Sequence, residues 1–170
     1  MFKRTVIALF AGIVTILATA APAQAQGTGL TLRGAFSLIN FGDDFSTKGF
    51  NVDVAKEMTT SGDMGVDVVG EFGFNRNGDF DYNLTNVGGG ARVRVPVGTQ
   101  LTVLGQGVIG LAHDNSTFDS NNLYTAFGGA AHFNINPNTS VFVQLDLFSV
   151  YYDGITDSGP RVLLGVALRP

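Results

Sequence analysis

The sequence predicts an all-β protein: an eight-stranded antiparallel up-and-down transmembrane β-barrel, preceded by a cleavable signal peptide. Three observations carry this reading. Hydrophobicity alternates residue by residue along several segments, which gives a strand one apolar face. Short turns alternate with longer, more polar loops along the chain. Charged residues make up only 14% of it, against about 25% in ordinary soluble domains.

The first segment reads separately from the rest. Lys3 and Arg4 precede a mostly apolar run from Thr5 to Ala20, followed by Ala21-Pro22-Ala23-Gln24-Ala25. A positive start, an apolar middle and a small-x-small site in that order predict a secretory signal, residues 1–25, cleaved after Ala25. The competing reading is a membrane anchor, but the apolar run is short of the roughly 20 residues a spanning helix needs. Residues 26–170 then form the barrel domain. No later stretch is long and apolar enough for a transmembrane helix.

After residue 25 there are eight basic residues and fourteen acidic ones, a net charge of −6. That excess disfavours nucleic acid as a partner, since phosphate binding needs a basic surface. The chain has no cysteine, so stability has to come from packing and the strand ladder.

The strands follow in order. Leu30, Leu32, Phe36 and Leu38 share a face in the first. Phe50, Val52 and Val54 form a short second strand, with Asn51 and Asp53 opposite. Val66, Val68, Phe72 and Phe74 form the third, and Val87, Val93 and Val95 the fourth. Leu101, Val103, Ile109 and Leu111 share a face in the fifth, and Leu123, Phe127, Phe133 and Ile135 in the sixth. Val141, Val143, Leu145 and Leu147 define the seventh, and Val162, Leu164, Val166 and Leu168 the eighth. The apolar parity slips between Leu84 and Val87. A β-bulge would absorb the slip, or the outer part of the strand projects above the membrane, where parity is free.

Turn chemistry at 59–63, 96–99 and 136–139 predicts short connections at one end. Segments 40–49, 75–79, 113–122 and 151–160 predict longer loops at the other. That asymmetry is the pattern of a membrane barrel with periplasmic turns and outward loops. Phe41, Phe45, Phe50, Phe72, Phe74, Phe80, Tyr82, Phe118, Tyr124, Phe148, Tyr151 and Tyr152 gather near the loop ends. A membrane-interface belt accounts for them better than a soluble core does.

With the apolar faces on lipid, the opposite faces line the lumen. They carry Arg33, Asp67, Glu71, Arg92, Arg94, Gln106, Gln144, Asp146 and Arg161. Four positive and three negative charges in a narrow barrel must pair, because an isolated buried ion is very costly. The set therefore predicts a structural plug, and a catalytic or gating site is the rival reading. Gly88, Gly90, Gly110, Gly128 and Gly165 make room beside these side chains.

No chemical motif rises above this background. His113 is followed by Asp114, Asn115 and Ser116, but a hydrolytic triad is defined by geometry rather than proximity in sequence. His132 faces inward as a satisfied lumen residue, and two isolated histidines have no metal-ligand spacing. Gly88-Gly89-Gly90 lacks the lysine of a phosphate loop. Asp43, Asp44, Asp79, Asp81, Asp114, Asp119, Asp153 and Asp157 predict an acidic outer rim. A solvated rim is preferred there to divalent-cation sites shared with lipopolysaccharide phosphates. No catalytic residue, metal site or cofactor is expected.

Residues 86–96, Asn-Val-Gly-Gly-Gly-Ala-Arg-Val-Arg-Val-Pro, resemble the glycine-rich, arginine-bearing strand of small OmpA-like or OmpX-like outer-membrane β-barrel proteins. Residues 104–113, Gly128-Gly129-Ala130 and 161–168 are similar to their later strands. The resemblance spans most of 27–170. It implies a cell outer-membrane location, lipid and lipopolysaccharide as surroundings, and insertion by the barrel-assembly machinery. It implies no shared enzymatic activity. Family members commonly end in an aromatic residue, and this chain departs from that with Arg169-Pro170. The expected function is structural or surface-interacting, with a plugged lumen. The alternatives are a soluble exported barrel of lipocalin type, with the apolar faces inside, or a lipid-modifying membrane enzyme.

Overall fold

The computed structural model describes residues 29–42, 45–115 and 121–170. The expected signal segment, Ser116, Phe118, and the rim carboxylates Asp43, Asp44 and Asp119 lie outside the described residues. Eight strands follow one another: β1 Leu30–Asn40, β2 Ser46–Ser61, β3 Met64–Asn77, β4 Tyr82–Val97, β5 Leu101–Asp114, β6 Asn121–Asn136, β7 Thr139–Tyr152 and β8 Ile155–Leu168. Each pairs antiparallel with its neighbours in sequence, and β8 pairs with β1, closing the barrel. Closure leaves no sheet edge along the paired lengths.

The registers fix the tilt. Stepping from partner to partner, Ile39 leads through Arg161, Asp146, Gly128, Gln106, Arg92 and Asp67 to Glu57. The Glu57 N–H donates to the carbonyl of Gly29 at 2.7 Å. One circuit therefore returns to β1 at residue 29 instead of 39, and the strands must slant across the barrel axis. Five of the nine predicted lumen residues lie on this single circuit, so distant sequence positions meet inside.

The two faces divide as the alternation predicts. Leu145, Leu147, Leu164, Phe127 and Ile109 point outward, each more than half exposed. On the strands, outward charges among the described residues are confined to Lys48 and Arg76 toward one end and Lys56 toward the other. Lys48 and Lys56 bracket Phe50, Val52 and Val54 on β2. Eight residues of tilted strand span about 20 Å along the barrel axis, close to the apolar height of outer-membrane barrels. Water does not tolerate a continuous apolar girdle of this kind, and hydrocarbon does. The soluble lipocalin-type alternative needs the opposite arrangement, apolar inside and charged outside, and is set aside.

Four expectations need correction. β2 is not short: it runs well beyond Phe50–Val54 at both ends, because polar outward residues outside the belt erase the apolar alternation without ending the strand. The predicted loop 151–160 is two strand ends joined at Asp153-Gly154, with Gly154 at φ +81°. Thr156, Asp157 and Ser158 need no alternation above the membrane. The other three predicted loops are also shorter than expected, since their strands continue to Asn77, Asp114 and from Ser46. The parity slip in β4 is not a bulge: Phe74↔Thr85 and Phe72↔Val87 keep continuous register. Leu84 simply points inward, fully buried. Register shifts occur instead between Glu57 and Thr59 and between Asn134 and Asn136.

Candidate functional site in the barrel interior

Residues on non-adjacent strands can touch only across the lumen, so such contacts identify the inward groups. Three clusters follow. In the first, Arg161 on β8 donates through Nη1 to Glu71 Oε1 on β3 at 3.0 Å and through Nη2 to Asp146 Oδ2 on β7 at 2.7 Å. Tyr124 Oη also donates to Glu71 at 3.0 Å, and Gln144 Nε2 to Asp146 at 2.8 Å. The Arg161 guanidinium lies 5.2 Å from the centre of the Phe148 ring.

In the second cluster, Asp53 on β2 is shared by two arginines. Arg33 Nε donates to Oδ2 at 2.7 Å, and Arg92 Nη2 to Oδ1 at 2.9 Å. Gln106 Oε1 accepts from Arg33 Nη2 at 3.1 Å and Arg92 Nη2 at 3.0 Å. Arg33 stacks over Phe142 at 4.6 Å, and His132 stacks on the same ring at 4.9 Å. His132 Nδ1 lies 3.2 Å from Ser140 Oγ. The third cluster sits nearer the turns: Arg94 Nε donates to Asp67 Oδ2 at 2.8 Å, and Nη2 donates to Glu57.

All nine predicted lumen residues therefore lie in the interior or, for Arg94, partly buried at its edge. Asp53 and Glu57 were missing from the predicted set. The alternation of Val52 and Val54 already points Asp53 inward, so the signal was present. Glu57 lies beside the register shift, where parity no longer guides. With Asp53 included, four arginines face the buried carboxylates Asp53, Asp67, Glu71 and Asp146, and the partly exposed Glu57 adds a fifth carboxylate at the turn-side edge. Mutual neutralisation is what allows such charges to be buried. The orientation of the arginines depends on fixed donors in a fork geometry, which a lysine would not supply.

Toward the loop end the interior changes character. Ile39, Leu84, Val108, Ala112, Tyr124, Ala126, Phe148 and Val150 form one buried apolar cluster, with Phe41, Tyr82 and Tyr152 packed on it. Tyr124 and Phe148 stack with centroids 5.2 Å apart. The predicted aromatic belt is thus split. Phe50, Phe72 and Phe74 form an outward patch, with centroids 6.0 and 6.1 Å apart. Tyr124 and Phe148 are inside, since period two sends alternate residues of β6 and β7 to the lumen. Gly88 and Gly110 leave space for Tyr124: a Cβ on Gly88 would lie 2.3 Å from its hydroxyl.

Beyond the apolar cluster lies a cup at the loop end. Tyr82, past the belt, has its hydroxyl pushed up to about 12 by burial, while its hydrogen bond with Tyr152 acts the other way and Asp114 and Asp157 raise it further. His113 is exposed on an outward strand position, away from the lumen. Among the described residues no group of His, Asp and Glu could hold a metal ion.

Fold and surface together define the class: a small transmembrane β-barrel of the outer-membrane type. No family model matches the chain, and no curated protein matches it. Solved structures do. The chain is similar to OprG of Pseudomonas aeruginosa, with 10% identity and a TM-score of 0.57 over 86% of this chain and 98% of that one. It is similar to Neisserial surface protein A, with 14% identity and a TM-score of 0.56 over 86% of this chain and all of the other. It is also similar to the outer-membrane enzyme PagL, with 12% identity and a TM-score of 0.53 over 82% and 99%. At such identities the likeness is one of fold. That fold hosts an enzyme and other barrels alike, so function has to come from the residues.

Proposed function

We propose that this protein resides in a bacterial outer membrane as a closed barrel with a structural or surface-interaction role. The observation that supports it most is the pair of cross-lumen ion clusters, Arg161 with Glu71 and Asp146, and Arg33 with Asp53 and Arg92. Side chains from six strands meet at these points, and the apolar cluster lies above them. Eight strands enclose little more than the volume such side chains occupy. Lipid and lipopolysaccharide surround the belt, the barrel-assembly machinery inserts the chain, and the longer loops face outward. We read the role as non-catalytic: the buried arginines and their carboxylates are engaged with one another, and exposed His113 faces away from them.

Reconstitution in a planar bilayer tests the closed lumen. The wild type is expected to show no steady conductance. Steady current through the unmodified protein would sink the reading. Extraction of the protein by a carbonate wash of cell membranes would separately sink membrane insertion.

A further inference from the structure

The cup at the loop end has a chemistry that neither the lumen network nor the lipid belt uses. It encloses about 820 Å³, within the range of roughly 300–1,000 Å³ typical of small-molecule sites. Its wall carries the rings of Phe41, Phe45, Tyr82 and Tyr152, the Asn122 amide and the Asp157 carboxylate. Phe45 meets Tyr82 edge to face at 5.2 Å and lies tilted to Phe41 at 6.1 Å. The rings are braced from below, because Phe41, Tyr82 and Tyr152 rest on the buried apolar cluster.

The charge around the cup has one sign. Asp153 and Asp157 line it, and Asp114 is close enough to act on Tyr82. No lysine or arginine is among the described residues that line it. The outward strand cations toward this end are Lys48 and Arg76, and Arg76 is bound to Asp81 at 3.1 Å. Aromatic faces attract cations through the ring quadrupole. Carboxylates at the lip of a low-dielectric concavity focus the same preference. An anion or a neutral sugar would gain nothing from this sign.

We propose that the cup binds a small organic cation, with a quaternary ammonium headgroup against Phe41, Phe45, Tyr82 and Tyr152 and its charge balanced by Asp157 and Asp153. The inference deepens the surface-interaction reading and rests on it for the claim that ligand arrives from outside the cell. The two can fail separately, because in micelles both barrel ends are open to solvent.

The experiment is an NMR titration of the full barrel in octyl glucoside, a detergent without an ammonium group. The probes are choline and its neutral isostere 3,3-dimethylbutan-1-ol. Choline is expected to bind saturably, and the isostere about tenfold more weakly, the size of a cation–aromatic preference with a carboxylate nearby. Asp157→Asn is expected to weaken choline several-fold, Phe45→Ala comparably, and Lys56→Gln at the far end not at all. Equal binding of the two probes overturns the proposal, as does unchanged affinity in Asp157→Asn or absence of saturable choline binding. Heat-dependent gel mobility of each variant distinguishes an unfolded barrel from a folded one that fails to bind.

Discussion

The two halves of the lumen are filled by different physics. Toward the turns, charged side chains neutralise one another: Arg33 and Asp53 are in contact at 2.6 Å, both side chains almost wholly buried. Toward the loops, Leu84, Phe148 and Val150 fill the same kind of space with hydrocarbon. An ionic filling is specific, because each guanidinium accepts few arrangements of partners. An apolar filling is tolerant of detail but sensitive to volume. The ionic half should therefore fail through orphaned charge, and the apolar half through voids.

The sharpest break in that contrast is Arg161→Met. It leaves Glu71 and Asp146 facing each other without their shared cation. Removing one partner of a buried ion pair costs about 3–5 kcal/mol. Urea unfolding in lipid vesicles should show that loss, and adding Glu71→Gln and Asp146→Asn should restore part of it. If the triple variant is no more stable than the single one, orphaned charge is the wrong account. In the apolar half, Leu84→Ala should cost roughly 3 kcal/mol through its cavity. No second substitution of a charge should recover that loss, which the same unfolding assay would show.

The sequence made the ionic half more legible than the apolar half. Arg33, Glu71, Arg92 and Arg161 stand out because charge is rare in this chain and alternates with long apolar neighbours. Leu84, Tyr124 and Phe148 carry no such contrast. An apolar residue can face lipid or a dry lumen, and period two alone does not say which where both faces are apolar. That is why Leu84 looked like a slip in register. The extended ends of β2 and β8 were hidden for a related reason: outside the lipid belt, strands held by backbone pairing need no hydrophobic pattern. The ion pairing itself could not be read from local sequence. It depends on the slant that brings Arg161, Asp146, Gln106, Arg92 and Asp67 onto one circuit.

A smaller effect probes the seam between the halves. Gly88→Ala would put a methyl 2.3 Å from the Tyr124 hydroxyl and 2.8 Å from the Ile109 carbonyl. Overpacking of this kind costs about 1–3 kcal/mol. Tyr124 belongs to both halves, its ring in the apolar cluster and its hydroxyl on Glu71. Tyr124→Phe should therefore relieve part of the clash when combined with Gly88→Ala, although alone it removes a hydrogen bond. A double variant as unstable as the sum of its parts would show that the backbone contact at Ile109, not Tyr124, limits the space.

The smallest effect belongs to the ion pair outside both halves. Arg76 donates to Asp81 at 3.1 Å, but the two side chains are 46% and 83% exposed. Water screens the attraction, and ordering two mobile side chains offsets much of what is left. Arg76→Gln should change unfolding stability by at most about 0.5 kcal/mol. The same guanidinium–carboxylate chemistry thus spans nearly the whole range of effects, according to whether removal strands a charge inside the lumen. A loss in Arg76→Gln as large as that in Arg161→Met would mean that burial is not what sets the strength of the interior network.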